Sequence, residues 1–204
     1  MSSTGHDGTV SGVRAGGLLL TGGASRRLGI AKTALLRDGE SLADRGARVL
    51  ATVCDPVLEV GSGASPLPAV QEEPPGSGPL AAVVAGAADL HARGYDGPVL
   101  VLAVDLPLVE SALLAWLVEH PARGTVVPRV DGQAQSLCAR YSVEALAVAE
   151  QLVAEGERSM RSLLAAVPVE YQDEHDWSAV CKPEAFADVD TMADLERLGL
   201  SAPG

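Results

Sequence analysis

One short stretch combines the groups needed to hold a polyphosphate: Thr21-Gly22-Gly23-Ala24-Ser25-Arg26-Arg27-Leu28-Gly29-Ile30-Ala31-Lys32. It follows the apolar run Leu18-Leu19-Leu20, which reads as a buried strand. A glycine pair after a strand lets the backbone turn sharply and bring its N–H groups close to an anion. Ser25 adds a hydroxyl donor, and Arg27 and Lys32 add two cations suited to phosphate oxygens. The spacing excludes the two commonest phosphate loops. Ile30 and Ala31 separate Gly29 from the lysine, unlike a Walker A loop, and Gly22 and Gly23 are adjacent, unlike a dinucleotide fingerprint. A plain glycine-rich turn with solvated arginines is the bland alternative, against which stands the ordered Ser, Arg, Gly and Lys that follow. Arg26 has no assigned role.

Asp105 is the best single candidate for chemistry. It ends Val99-Leu100-Val101-Leu102-Ala103-Val104, apolar throughout as a central parallel strand should be, and Leu106-Pro107 follow it. In open α/β sheets ligands gather beyond the carboxyl ends of strands, so the first loop and Asp105 can face one crevice. A carboxylate there is suited to a magnesium ion, and the alternative is a turn or capping aspartate before the next helix. Near the end, Asp188 and Asp190 fall on the same side of an extended segment, ahead of a helix start at Thr191. Asp190 is the expected second ligand; dipole-complementing acids at a helix start are the alternative. Gly78-Pro79-Leu80 opens a small-residue helix whose free N–H groups suit an anion or a base edge. Gln135 and Arg140 lie on a strand where they could touch a second substrate.

The elements that must position these residues alternate between short apolar runs and helical patterns, which implies βαβ units and a mostly parallel sheet. The expected strands are 16–20, 57–60, 98–104, 125–128, 136–141 and 167–171. The expected helices are 41–53, 79–93, 111–119, 143–154, 159–166 and 191–198, with Ser111 and Thr191 as N-caps. Residues 1–13 read as a disordered tail and 14–204 as one α/β domain. The net charge of −12 argues against nucleic acid or an anionic membrane as partner. No stretch is apolar enough to span a bilayer, and Met1 to Asp7 is not a secretory signal. Cys54, Cys138 and Cys181 are scattered and read as free thiols of a reducing compartment. The expected location is the cytoplasm.

In this order the segments resemble the molybdenum cofactor guanylyltransferase family of nucleotidyltransferases. The pattern L-x-G-G-x-S-x-R-x-G-x-x-K is met by Leu20, Gly22, Gly23, Ser25, Arg27, Gly29 and Lys32. G-P-L matches Gly78, Pro79 and Leu80, and D-x-P matches Asp105, Leu106 and Pro107. Q-P-L-x-A-x-Y resembles 135–141, and N-I-N-T-P-E-D-L resembles 188–195. Glu73 is similar to the acidic residue preceding the G-P-L helix. Ala31, Ser136 and Met192 depart from the family pattern, and the base-placing asparagine has no counterpart near Gly61-Ser62.

The resemblance implies a three-layer α/β/α, Rossmann-like nucleotidyltransferase fold. It also implies transfer of GMP from GTP to molybdenum-bound molybdopterin with release of pyrophosphate, using Mg²⁺. Arg27, Lys32 and Asp105 are then catalytic. The nucleotide would meet Leu20, Gly22, Gly23, Ser25, Lys32, Glu73, Gly78, Pro79, Leu80 and Asp105, and the metal would meet Asp105 and Asp190. Transient contact with molybdoenzymes or their chaperones completes the expected partners. A donor such as CTP, a sugar- or alcohol-phosphate acceptor, and a non-catalytic nucleotide-binding regulator are the competing readings.

Overall fold

The computed structural model of the protein describes residues 15–22 and 28–203. The expected tail, and Gly23, Ser25, Arg26 and Arg27 of the opening loop, lie outside the described residues.

The first described element is β1, Ala15–Leu20, whose six residues are all buried. A hairpin follows, β2 Leu36–Arg37 and β3 Glu40–Ser41, turned at Asp38 and Gly39, both with positive φ. Next come α1 Leu42–Ala51, β4 Cys54–Val60, β5 Ala69–Val70, α2 Pro79–Ala92 and β6 Val99–Ala103. The second half contains α3 Ser111–Glu119, β7 Thr125–Val130, β8 Gln133–Ala134, β9 Cys138–Tyr141, α4 Val143–Ala154 and α5 Met160–Ala166. It closes with β10 Val169–Gln172, α6 Glu174–Trp177, α7 Met192–Leu198 and β11 Leu200–Ser201.

The main sheet runs β10-β7-β9-β6-β1-β4-β5, with β8 on β7. All neighbours on this path are parallel except β9, which pairs antiparallel with both β6 and β7. The mostly parallel sheet expected from the βα alternation is therefore present, with one reversed strand, β9, between β7 and β6. Because two reversals cancel, β7 and β10 point the same way as β1, β4, β5 and β6. The carboxyl ends of those six strands share one edge.

Pleating sends alternate residues of β1 to opposite faces. Leu18 and Leu20 pack with α2, α4 and α5, whereas Ala15 and Leu19 pack with α1 and α3. This gives the three layers. Each fully buried leucine contributes about 1.5–3 kcal/mol to that arrangement. Helix α2 sits unusually close to the sheet because Gly86 faces it: an added Cβ would lie 2.7 Å from Leu18 and from Val60 Cγ2. The small-residue composition of α2 thus has a packing cause.

Local signals explain most boundaries. Ser41, Ser142, Ser159 and Thr191 cap α1, α4, α5 and α7 through side-chain oxygens. The expected cap at Ser111 is incorrect: Glu110 occupies that position without a side-chain bond. Cys54 and Cys138 are buried free thiols, and burial pushes the Cys54 thiol up to about 12.

The second, small sheet, β11-β2-β3, matters for the site. It ties the segment after Lys32 to the end of α7, reinforced by Arg37 Nη1 donating to Leu198 O at 2.9 Å. Residues far apart in sequence are thereby locked side by side.

Candidate active site

At the shared strand edge, β1 leads into Thr21, β4 into Gly61, β5 into Gln71 and β6 into Val104 and Asp105. The exits stay in ladder register for one residue: Thr21 N donates to Val60 O and Val104 N to Leu20 O, each at 3.0 Å. The backbone leading to the first loop and the backbone leading to Asp105 are therefore neighbours. Val189 N donates to Asp105 O at 3.1 Å and brings the acidic segment before α7 to the same place. Val189 is fully buried while Asp188 and Asp190 are exposed, as the extended alternation predicts.

Lys32 opens a short 3₁₀ turn, Lys32–Ala34, and its ammonium lies between two acids. Nζ is 3.0 Å from Asp105 Oδ2 and 2.6 Å from Asp190 Oδ1. Burial lowers the lysine pKa, but the bonds and charges of Asp190 and Asp105 outweigh it and hold the ammonium above its ordinary value. Asp188 is shifted the other way for a carboxyl: burial, then the charges of Asp190 and Asp105, raise it. Three acids and one lysine thus stand close together, with surplus negative charge.

Two carboxylate oxygens already converge on one cation, the ammonium. Magnesium binds through one or two carboxylates plus substrate phosphates, and hard oxygen donors are what it requires. Asp105 and Asp190 fit that demand. Among the described residues no group of three or more His, Cys, Asp or Glu forms an all-protein metal cage. The site is complete for such an ion only with a phosphate ligand present.

The remaining expected residues divide. Leu20 and Gly22 sit at the edge; Gly23, Ser25 and Arg27 lie outside the described residues. Pro79 starts α2 and Leu80 is fully buried. The free N–H groups expected at this helix start are reduced: Pro79 has none, and Leu80 N donates to Arg158 O at 3.2 Å. Gly78 is packed against that carbonyl, with an added Cβ 3.0 Å from Arg158 O. Glu73 is exposed, whereas its neighbour Glu72 is buried and accepts from Gly76 N at 2.8 Å. Glu72 therefore braces the loop before α2.

Arg140 is a correction. It is 2 % exposed and cannot touch a second substrate, since its guanidinium donates to the carbonyls of Val118, His120, Ala122 and Gly124. It knits the α3–β7 connection instead. Gln135 stays half-buried in the β8–β9 turn, with Nε2 donating to Gln133 O.

Sequence reasoning missed two features at this edge. The guanidinium of Arg129 lies 3.6 Å from the Tyr171 ring centroid, beside a hollow of about 230 Å³ at the ends of β7 and β10. Glu59, inside β4, is fully buried and accepts from Thr21 Oγ1 and from the loop after its own strand. An acid inside the apolar run Val57–Val60 was the available signal for the second.

The family model of the MobA-like NTP transferase domain matches residues 17–175. A probable molybdenum cofactor guanylyltransferase of Opitutus terrae is 38% identical over 159 residues, covering 74% of this chain and 78% of that protein. One from Mycobacterium avium is 35% identical over 196 residues, covering 89% and 93%. Among solved structures, molybdopterin-guanine dinucleotide biosynthesis protein A of Archaeoglobus fulgidus superposes with a TM-score of 0.74. It is 23% identical, and the match covers 89% of this chain and 95% of that one.

Proposed function

Because this chain belongs to the MobA-like NTP transferase family, we propose that it transfers GMP from GTP to the terminal phosphate of molybdenum-bound molybdopterin, releasing pyrophosphate. The observation that carries the reading is the meeting of Lys32, Asp105 and Asp190 at the strand edge where the glycine-rich loop begins.

In this reading each substrate group has its side of the strand edge. The loop after β1 is the place for the triphosphate, and Asp105, on the β6 side, marks where the α-phosphate must stand. The nucleoside then extends the other way, over the ends of β4 and β5. The acceptor approaches over β9 and β7, where Gln135 and the Arg129–Tyr171 pair sit.

An oxygen of the acceptor phosphate attacks the α-phosphorus; the bond to the β-phosphate oxygen breaks and pyrophosphate leaves. No covalent intermediate is needed, so catalysis is alignment and charge neutralisation. Loop amides with Ser25 hold the triphosphate, and Arg27 and Lys32 offset charge building on the departing pyrophosphate. Asp105 and Asp190 would hold Mg²⁺, which would supply charge neutralisation at phosphate oxygens. With those carboxylates so engaged, Lys32 would be free to meet the triphosphate. Among the described residues no helix is long and apolar enough to cross a membrane.

Purified protein should release pyrophosphate from GTP only with Mg²⁺ and a molybdopterin acceptor. Equal or faster turnover of CTP, ATP or UTP overturns the guanylyl assignment. GTP binding without any pyrophosphate release replaces the enzyme with a nucleotide-binding regulator.

A further inference from the structure

Glu59 has no place in the chemistry above, yet among the described residues its carboxylate is heavily solvated, with protein groups as its solvent. It occupies a strand interior at 0% exposure. Oε1 accepts from Thr21 Oγ1 at 2.6 Å, Gly63 N at 2.9 Å and Ala64 N at 2.8 Å. Oε2 accepts from Ser65 N at 2.7 Å and Ser65 Oγ at 2.6 Å. One carboxylate therefore joins the first residue of the glycine-rich loop to the loop that follows β4. The two loops also touch directly, because a Cβ on Gly61 would overlap the Thr21 hydroxyl.

This has a chemical consequence for the loop's outer surface. In a planar trans peptide the C=O of one residue points away from the N–H of the next. With the amides of Gly63, Ala64 and Ser65 drawn inward, the carbonyls of Ser62, Gly63 and Ala64 are turned outward. Among the described residues none of these three carbonyls accepts a backbone hydrogen bond. Residues 62–64 are exposed, at the strand edge on the side of β1 away from Asp105. A row of acceptors there suits a ring bearing adjacent N–H donors. Guanine offers an N1–H beside a 2-amino group; adenine and cytosine offer a ring acceptor in the corresponding place.

We propose that Glu59 is the positioning residue of the nucleobase site, turning the carbonyls of Ser62, Gly63 and Ala64 outward to read the N–H edge of a 2-amino-6-oxopurine. The inference rests on the donor reading given above, because it needs the nucleoside on the β4 side. Removing the anion that orders the loop lets the peptides rotate, and discrimination by unpaired polar groups is lost.

The test is calorimetric binding of GTP, ITP, ATP and inorganic pyrophosphate, each with Mg²⁺, to the full chain. ITP lacks only the 2-amino group. Wild type is expected to prefer GTP to ITP by about tenfold, the equivalent of one good hydrogen bond. Glu59→Gln should bring that ratio to near one while pyrophosphate affinity stays within about twofold, a pattern that a general loss of stability does not produce. Thr21→Val and Ser65→Ala each remove a single donor, are milder for folding, and should narrow the ratio partway. An unchanged GTP/ITP ratio in folded Glu59→Gln overturns the inference. So does an unchanged ratio in both milder variants if Glu59→Gln fails to fold. Wild type that binds pyrophosphate but no GTP overturns the donor reading itself; wild type that binds GTP and ITP equally sinks only the base-reading role.

Discussion

Lys32 Nζ stands 3.0 Å from Asp105 Oδ2, although 73 positions separate the two residues in the chain. The ammonium occupies the place where the two acids would otherwise share a divalent cation. In the proposed reaction lysine and metal would therefore compete for the same oxygens when no nucleotide is present, and act together when a triphosphate takes up the lysine. Replacing Lys32 by Met should separate these effects. Turnover should fall by the equivalent of about 2.7–4 kcal/mol, as for loss of one preorganised charge-stabilising donor. Binding of Mn²⁺ to the nucleotide-free protein, titrated directly, should become tighter than in wild type. Weaker Mn²⁺ binding would place the ion elsewhere.

Asp105→Ala tests the other partner. The side chain is 27% exposed and paired to a lysine, a type of interaction worth roughly 0–1 kcal/mol to folding. Its thermal midpoint should stay within a few degrees of wild type, by a rough conversion of that energy. Divalent-dependent pyrophosphate release should drop by on the order of 10²–10³. Retained turnover in a folded variant removes Asp105 from the metal site.

The sequence made Asp105 legible because it follows an apolar strand, and Lys32 because it closes the glycine-rich segment that follows another. Leu18-Leu19-Leu20 and Val99 to Val104 are long, fully buried runs, and a strand of that kind fixes where the next side chain emerges. Asp190 was legible for a different reason: Thr191 and Asp194 form a capping box, which fixes the helix start and the extended residues before it. What was not legible depends on contacts across sheets. The Asp38-Gly39 turn carried a hairpin signal, but two-residue strands have no periodicity to read, and β11 is set by pairing with β2. Arg140 looked like a ligand residue because sequence shows its charge and not the four carbonyls around it. Glu59 likewise shows its acid but not the amides that neutralise it.

Arg140 should matter for folding alone. Its guanidinium satisfies carbonyls of the α3–β7 connection at a buried position. Arg140→Met keeps much of the volume and leaves those acceptors without donors, each unsatisfied group costing about 1–3 kcal/mol. Urea unfolding should show a loss of roughly 3 kcal/mol or more. The Michaelis constant for GTP in the folded fraction should not move, and a change in it would return Arg140 to the substrate.

Glu59 also sets an acid limb to stability, with a sign that follows from its surroundings. Burial alone would raise its carboxyl, but the bonds from Ser65 and Thr21 and from the amides of Ala64 and Ser65 outweigh burial and hold it below the ordinary glutamate value. A carboxyl with a depressed native pKa stabilises the fold above its unfolded value, near 4.5, and loses that contribution as pH falls through the native value. Glu59→Gln should therefore cost about 1–3 kcal/mol at pH 7, from amides left with one poor acceptor. The gap between wild type and variant should close as pH is lowered from about 5 towards the native pKa, because wild type then protonates the same oxygen. Asp194 is depressed as well, by Arg197, Thr191 and nearby amides, but it titrates equally in both proteins and cancels in the difference. Urea midpoints measured in parallel from neutral to acid pH give the comparison. A gap that stays constant down to the acid end means that Glu59 is neutral in the folded protein, and the five donors around it would then need another acceptor.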